Sequence, residues 1–356
     1  MLWGSNGAGK TNLLEAVSLL SPGRGLRRAR VPDITRRASA GSWGVNARVA
    51  AAGDEHSIGV GQDPAHPNRR LVRIDGSTAT ATQLAHLLTV IWLTPAQDRL
   101  FTGPASDRRK FLDRITLSHT PDHGANTARF EKARAERNRL LSDTYADAAW
   151  YRALEADLAR FGALIAAARV TTVELLREEI ASRPEGPFPK AEVELSGFAE
   201  DRFAAGASAD EVRGALEAAL SEGRREALRA GRTLVGPHRT DLNVVHAPKQ
   251  MPAGECSTGE QKALLIGLVL AHARSHPHSS HPHASHPHGS RRMGAPILLL
   301  DEIAAHLDRS RRASLAHELE DLGSQCFLTG TDRDLFSAFE TARQIQVVDG
   351  GVRVGT

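Results

Sequence analysis

The residues with the clearest chemistry stand almost at the start of the chain. Gly4 to Thr11 reads Gly-Ser-Asn-Gly-Ala-Gly-Lys-Thr, a full match to the pattern G-x-x-x-x-G-K-[ST]. The spacing suits a phosphate. Glycines let backbone N–H groups turn inward, and the helix that follows offers its partly positive N-terminus to an anion. In such a loop Lys10 reaches the β- and γ-phosphates of a nucleotide, and the Thr11 hydroxyl is a ligand for Mg2+. Gly4, Ser5, Asn6, Gly7, Ala8, Gly9, Lys10, Thr11 and Asn12 are therefore the expected ATP-binding set. A glycine-rich turn before an ordinary helix is the plainer reading, but the next residues carry Leu13, Val17 and Leu20 on one helical face.

Acids at a second place complete the set. Pro296 to Glu302 is a continuous aliphatic run ending in Asp301 and Glu302, as expected of a parallel strand buried on both faces. Asp301 would hold Mg2+ through water, and Glu302 would polarise the attacking water as general base. A third element, Ser257-Thr258-Gly259-Glu260, opens a strongly apolar segment. Ser257 and Glu260 have capping-box spacing, which places free backbone donors at a helix start. This order is the layout of ABC-type ATPases, in which that terminus reads the γ-phosphate held by the opposite subunit. His306 and Asp308 in "AAHLD" then fall at the D-loop. The motifs are weak singly and specific in this order.

Elements must hold these residues in place. Thr11 to Leu20 reads as a helix closed by Pro22-Gly23. Trp43 to Ile74 alternates like an antiparallel meander, and Thr89 to Pro95 like a buried strand. Ala125 to about Arg183 is helical, with Leu154, Leu158, Phe161 and Ile165 at helical spacing. "AEVELSG" reads as a short strand, and Ser208 with Glu211 as the capping box of a further helix. "CFLTGT" is a second aliphatic strand, and "IQVVDGGVRV" a hairpin turning at Asp349-Gly350-Gly351. The expected fold class is thus α/β, an ABC-type P-loop ATPase head with a mixed sheet, flanking helices and an antiparallel meander, plus a compact helical arm lobe. The first part of the head spans 1–120, the arm 121–232 and the second part of the head 233–356. Within the last, 275–292 is a low-complexity His/Pro/Ser insertion. Its histidines could bind a divalent metal weakly, but prolines at every third or fourth position oppose a helix that would focus them.

Composition bounds the remaining classes. The 356 residues are 41% hydrophobic and 24% charged, as in ordinary globular proteins. No apolar run is long enough for a membrane span and no signal region opens the chain. Two cysteines, Cys256 and Cys326, make no disulfide framework and suit a reducing compartment, so the expected location is the cytoplasm. A net charge of +3 permits nucleic-acid binding, and aromatics at 4% argue against base stacking. Any nucleic-acid contact should then be mostly to backbone phosphates. Arg24, Arg27, Arg28, Arg36 and Arg37 are the first candidates and Arg108 and Arg109 the second, although a solvated, salt-bridged surface would have the same composition.

The segments "NGAGKTNLLEAVSLLSPGRGLRRAR", "LTPAQDRLFTGPASDRRKFLDR", "LVGPHRTDL", "STGEQK" and "ILLLDEIAAHLDRSRR" together resemble the RecF family of DNA replication and repair ATPases over essentially the whole chain. The resemblance implies ATP-dependent homodimerisation and binding to double-stranded DNA near single-strand gaps. It also implies weak DNA-stimulated ATP hydrolysis, and cooperation with RecR and RecO in loading RecA during DNA damage and the SOS response. Three features depart from it. The family has further strands ahead of the phosphate loop, so an N-terminally truncated head is expected here. The His/Pro/Ser tract is not a family feature. No switch histidine follows "FLT"; Gly330 stands there, with Thr331 and Asp332 as weak stand-ins, and Gln97 reads as a loop residue rather than a magnesium-linked glutamine. Two other readings stay open: a different ABC- or SMC-type ATPase, and a hydrolysis-impaired relative acting as a binding module.

Overall fold

The computed structural model describes residues 1–35, 41–51, 54–142, 147–276, 295–348 and 351–354. Strand β1 (Leu2–Trp3) leads through the glycine-rich loop into helix α1 (Lys10–Ser18). An antiparallel run follows, of β2 (Gly44–Ala51), β3 (Asp54–Gln62), β4 (Arg70–Ile74) and β5 (Ser77–Thr78). Helix α2 (Ala81–Leu87) then returns the chain to β6 (Val90–Leu93). Next come α3 (Ala105–His119), α4 (His123–Leu141), α5 (Ala148–Ser182), β7 (Ala191–Ser196), α6 (Glu200–Ala204), α7 (Ala209–Glu222) and α8 (Arg224–Ala230). After β8 (Asp241–His246) and β9 (Met251–Pro252), helix α9 (Thr258–Arg274) precedes β10 (Ile297–Leu300). Helix α10 (Arg309–Asp321), β11 (Cys326–Gly330), β12 (Ile345–Val348) and β13 (Gly351–Val354) finish the chain.

Packing divides the chain into two units, Met1–Asp98 with Arg183–Pro189 and Ser257–Thr356, and Arg99–Ser182 with Lys190–Cys256. The first is built on a mixed sheet in the order β13-β12-β1-β11-β10-β6. Its inner strands are parallel, and β12 and β13 close one edge as an antiparallel hairpin. Residues 349–350 of the expected turn lie outside the described residues. The aliphatic reading of β10 has its cause here: Leu298 and Leu299 are fully buried between β6 and β11. Although β1 is two residues long, it is paired on both sides, with Leu2 opposite Thr329 of β11 and Ile345 of β12.

The meander forms a second sheet, β2-β3-β4-β5. Its alternation brings like to like, with Val45 opposite Val60 and Ala47 opposite Ile58. That face joins Leu2, Leu14, Leu84, Val90 and Leu299 in one apolar cluster. Helix α9 is apolar on every side and is buried from Gln261 to Ala273, the environment such a helix requires.

In the second unit the stripe read from sequence on α5 points inward: Leu158, Phe161 and Ile165 pack with Phe130 and Leu220. Ser208 and Glu211 form a reciprocal capping box at the start of α7. Strands β7, β8 and β9 make a small antiparallel sheet. This unit also buries charge. Glu155 accepts from Arg137 at 3.0 and 3.2 Å and from Arg224 at 2.5 and 3.2 Å. Arg169 bridges Asp113 at 2.8 Å and Glu200 at 3.4 Å. Helix α3, read in sequence only as an arginine cluster, buries Phe111, Leu112 and Ile115.

Candidate nucleotide site

The first unit places the phosphate loop and the acids at the carboxyl ends of neighbouring parallel strands. β1 runs into the loop, β10 ends at the acids, and β11 lies between them. In open parallel sheets this edge is where ligands bind.

The loop has the backbone its sequence requires. Gly4 has φ 154° and lies against β12, where an added Cβ would be 2.3 Å from the Val347 carbonyl oxygen. Gly9, at φ 104°, is the residue before α1. The Lys10 ammonium is buried and donates to the Gly4 carbonyl at 2.6 Å and the Ser5 carbonyl at 3.0 Å. Ser5, Asn6 and Gly7 are exposed at the rim of the loop, and Ala8 is buried beneath it.

Across from the helix start, the Thr11 hydroxyl donates to the Asp301 carboxylate at 3.2 and 3.3 Å. A hydroxyl and a carboxylate oxygen are hard donors, the set that suits Mg2+, so the two residues fit that ion. Asp301 is 5% exposed and its backbone N–H donates to the Leu93 carbonyl at 2.9 Å. Glu302 follows with φ 53°, a left-handed conformation at a residue that is not glycine. Thr329, whose side chain is fully buried, touches both acids. Its hydroxyl donates to Asp301 Oδ1 at 2.7 Å and accepts the Glu302 N–H at 2.9 Å. Sequence reasoning missed Thr329. Of the two stand-ins for a switch residue, Thr331 and Asp332, Asp332 accepts the Asp334 N–H and starts a short turn.

The other expected site residues make local contacts of their own. Ser257 caps α9, with its hydroxyl on Glu260 Oε2 at 2.9 Å and its N–H on the same oxygen at 3.1 Å. Thr258 and Gly259 are exposed at that helix start, and a Cβ on Gly259 would lie 3.9 Å from Arg311 Nη1. Asp308 caps α10 by accepting the Arg311 N–H at 2.8 Å. Gln97 ends a short 3-10 turn, Pro95–Gln97, and its amide oxygen accepts the Thr94 N–H at 3.1 Å.

The arginine candidates divide into two kinds. Arg24, Arg27 and Arg28 are exposed on the segment after α1, and Arg27 Nη1 donates to Asn12 Oδ1 at 2.6 Å. Buried Glu15 holds this segment by accepting the Arg27 N–H at 2.8 Å; burial raises its pKa, and the Arg27 N–H and charge oppose the rise. Arg70, also missed in sequence, donates to the carbonyls of Leu19, Ser21 and Gly23. Burial lowers its pKa to about 10, so it stays charged at neutral pH. By meeting these carbonyls it ends α1 at Ser18, short of the expected Leu20. Arg36 and Arg37 lie outside the described residues, as does most of the His/Pro/Ser tract, from residue 277 on. In the second unit Arg108 forms a bidentate bridge to Asp241, 2.7 Å on each arm, and also donates to Gly103. Arg109 donates to the Thr240 carbonyl at 2.9 Å. These two arginines are committed to internal structure.

Comparison with known proteins agrees with this fold and motif order. The family model described as the RecF/RecN/SMC N terminal domain matches residues 1–353. The chain is 49% identical over 351 residues to the DNA replication and repair protein RecF of Mesorhizobium japonicum, covering 98% of this chain and 89% of that protein. It is 48% identical to RecF of Rhizobium rhizogenes, with 99% and 91% covered. Among solved structures, the recombination mediator protein RecF-ATPrS in the RecFOR pathway superposes with a TM-score of 0.83 at 22% identity, covering 100% of this chain and 91% of that one. RecF-ATP gives 0.81 at 23% identity, with the same coverage. An ABC-type head fold, ordered motifs and near-half identity to RecF along almost its full length show that this chain belongs to the RecF family of DNA replication and repair proteins.

Proposed function

We propose that the chain is an ATP-switched, duplex-DNA-binding repair ATPase. The observation that supports it most is the convergence of Lys10, Thr11, Asp301 and Glu302 at one sheet edge, with Thr11 and Asp301 in contact. The loop N–H groups and Lys10 would bind the β- and γ-phosphates of ATP. Thr11 and Asp301 would hold Mg2+, which when bound neutralises charge on the phosphate oxygens. Glu302 would accept a proton from the water that attacks the γ-phosphorus, with ADP as leaving group.

The exposed start of α9 at Ser257–Glu260 would read the γ-phosphate bound by a second copy, so that ATP drives homodimerisation. Asp308, at the start of α10, would lie beside that shared nucleotide. Dimerisation would present two arginine segments, Arg24, Arg27 and Arg28 with Arg36 and Arg37, to one duplex and link nucleotide state to DNA affinity. Two solved relatives are named for the RecFOR pathway; with the motif resemblance this suggests RecR and RecO as partners, and the resemblance alone implies action at gaps and in RecA loading. The test is duplex affinity measured with and without ATP across a salt series. Binding that requires ATP and weakens with a log–log slope of about −0.9 per phosphate neutralised supports the reading. Equal binding without nucleotide, or binding insensitive to salt, contradicts it.

A further inference from the structure

We infer that Thr329 is a positioning residue for ATP hydrolysis: a single hydroxyl that sets the Asp301 carboxylate and the Glu302 backbone together. The inference rests on the proposed hydrolytic function and adds to it a residue outside the sequence motifs.

A hydroxyl offers one donor and two acceptor positions. Thr329 uses the donor on Asp301 Oδ1 at 2.7 Å and an acceptor position on the Glu302 N–H at 2.9 Å. The two bonds differ in what they fix. The first orients the carboxylate that also accepts from Thr11. The second holds the backbone where φ reaches 53° at Glu302. A left-handed conformation is costly for any residue with a Cβ and persists only where its surroundings enforce it. Here that backbone turn decides the direction in which the Glu302 side chain leaves the strand.

The location is consistent with this role. Thr329 lies on β11, between the strand that feeds the phosphate loop and the strand that ends in the acids, directly opposite Leu2 of β1. β-Branching suits the strand and leaves the hydroxyl few rotamers. Its side chain is fully buried, so no solvent can replace the bonds if the hydroxyl is removed. Valine has nearly the same shape and can make neither bond. Serine keeps both.

The experiment uses the full chain and compares Thr329→Val and Thr329→Ser with wild type. It measures steady-state ATP turnover with duplex DNA, thermal unfolding, and the Mg2+ concentration that half-saturates binding of a fluorescent ATP analogue. Thr329→Val is expected to lower kcat by about 10- to 100-fold, the scale of a lost hydrogen bond to a charged group, with KM for ATP changed less than about threefold. It should also raise the half-saturating Mg2+ concentration severalfold. Thr329→Ser should restore both. In a Glu302→Gln background, Thr329→Val should lower turnover little further, because the two changes disable one device. Wild-type kcat and Mg2+ dependence in Thr329→Val would overturn the inference, as would a Thr329→Ser as impaired as Thr329→Val. If the wild type binds nucleotide but does not turn it over, the hydrolytic reading fails. The Mg2+ shift then still decides whether Thr329 sets Asp301.

Discussion

Alanine at Gly4 tests how closely the phosphate loop is seated on the sheet. A Cβ there would lie 2.3 Å from the Val347 carbonyl oxygen and 3.3 Å from its carbon, and both atoms belong to the backbone of β12. Neither can rotate away, so β12 or the loop must move. Forced overpacking of this kind costs about 1–3 kcal/mol, and the backbone at φ 154° adds about 1–3 kcal/mol for a residue with a side chain. Gly7 provides the control, because its φ is 83° but an added Cβ would meet nothing within 4 Å. Only the conformational cost of about 1–3 kcal/mol applies there. Gly4→Ala should therefore be less stable than Gly7→Ala by about 1–3 kcal/mol in urea unfolding, with a melting point several degrees lower. Gly4→Ala should also bind a fluorescent ATP analogue far more weakly than wild type, since the loop carbonyls that hold Lys10 shift with it. Equal stability of the two variants, or a Gly4→Ala variant at wild-type stability, would refute the close contact between loop and β12.

Two further predictions concern charge. Burial pushes the His238 pKa down to about 4, below the usual value near 6.5, while its Nε2 lies 3.1 Å from the Thr233 carbonyl. The unfolded chain therefore binds the proton more tightly, and stability falls as pH drops from about 6.5 to about 4, by on the order of 3 kcal/mol for this group. Replacing it by Gln should flatten that window in denaturant midpoints measured against pH, and an unchanged profile would contradict the assignment. The arginines should separate by role. Arg28→Ala should weaken duplex binding and make the salt slope shallower by about one unit per lost phosphate contact. Arg108→Ala should chiefly lower stability by leaving Asp241 unpaired, so the reverse pattern in DNA titration and urea unfolding would contradict the division.

What the sequence made legible was local. The phosphate-loop spacing, the two capping boxes at Ser208 and Ser257, the stripe from Leu154 to Ile165 and the meander alternation each follow from neighbours a few residues apart. What it hid was long-range. Thr329 looks like any strand threonine until β11 lies beside β10, and Asp301 is 28 residues away in sequence. Arg108 looks like a free cation beside Arg109 until Asp241, 133 residues later, takes both arms of its guanidinium. Arg70 reads as an edge charge on a strand, yet it closes helix α1 from across the unit. A run of like charges carries no information about the partners that folding brings to it. Leu2-Trp3 ahead of the phosphate loop reads as part of a central sheet strand, which β1 is; what the sequence leaves unnamed is its partners, β11 and β12.

The most direct test of the central claim is duplex-stimulated ATP turnover by this chain against its Glu302→Gln variant, with ATP binding measured on both. Both proteins should bind ATP. Turnover by the wild type should rise with duplex DNA, and Glu302→Gln should reduce it by about 100-fold or more, the usual contribution of a general base. Wild-type turnover no higher than that of Glu302→Gln, in protein that still binds ATP, would contradict the account and leave a nucleotide-binding head without hydrolysis.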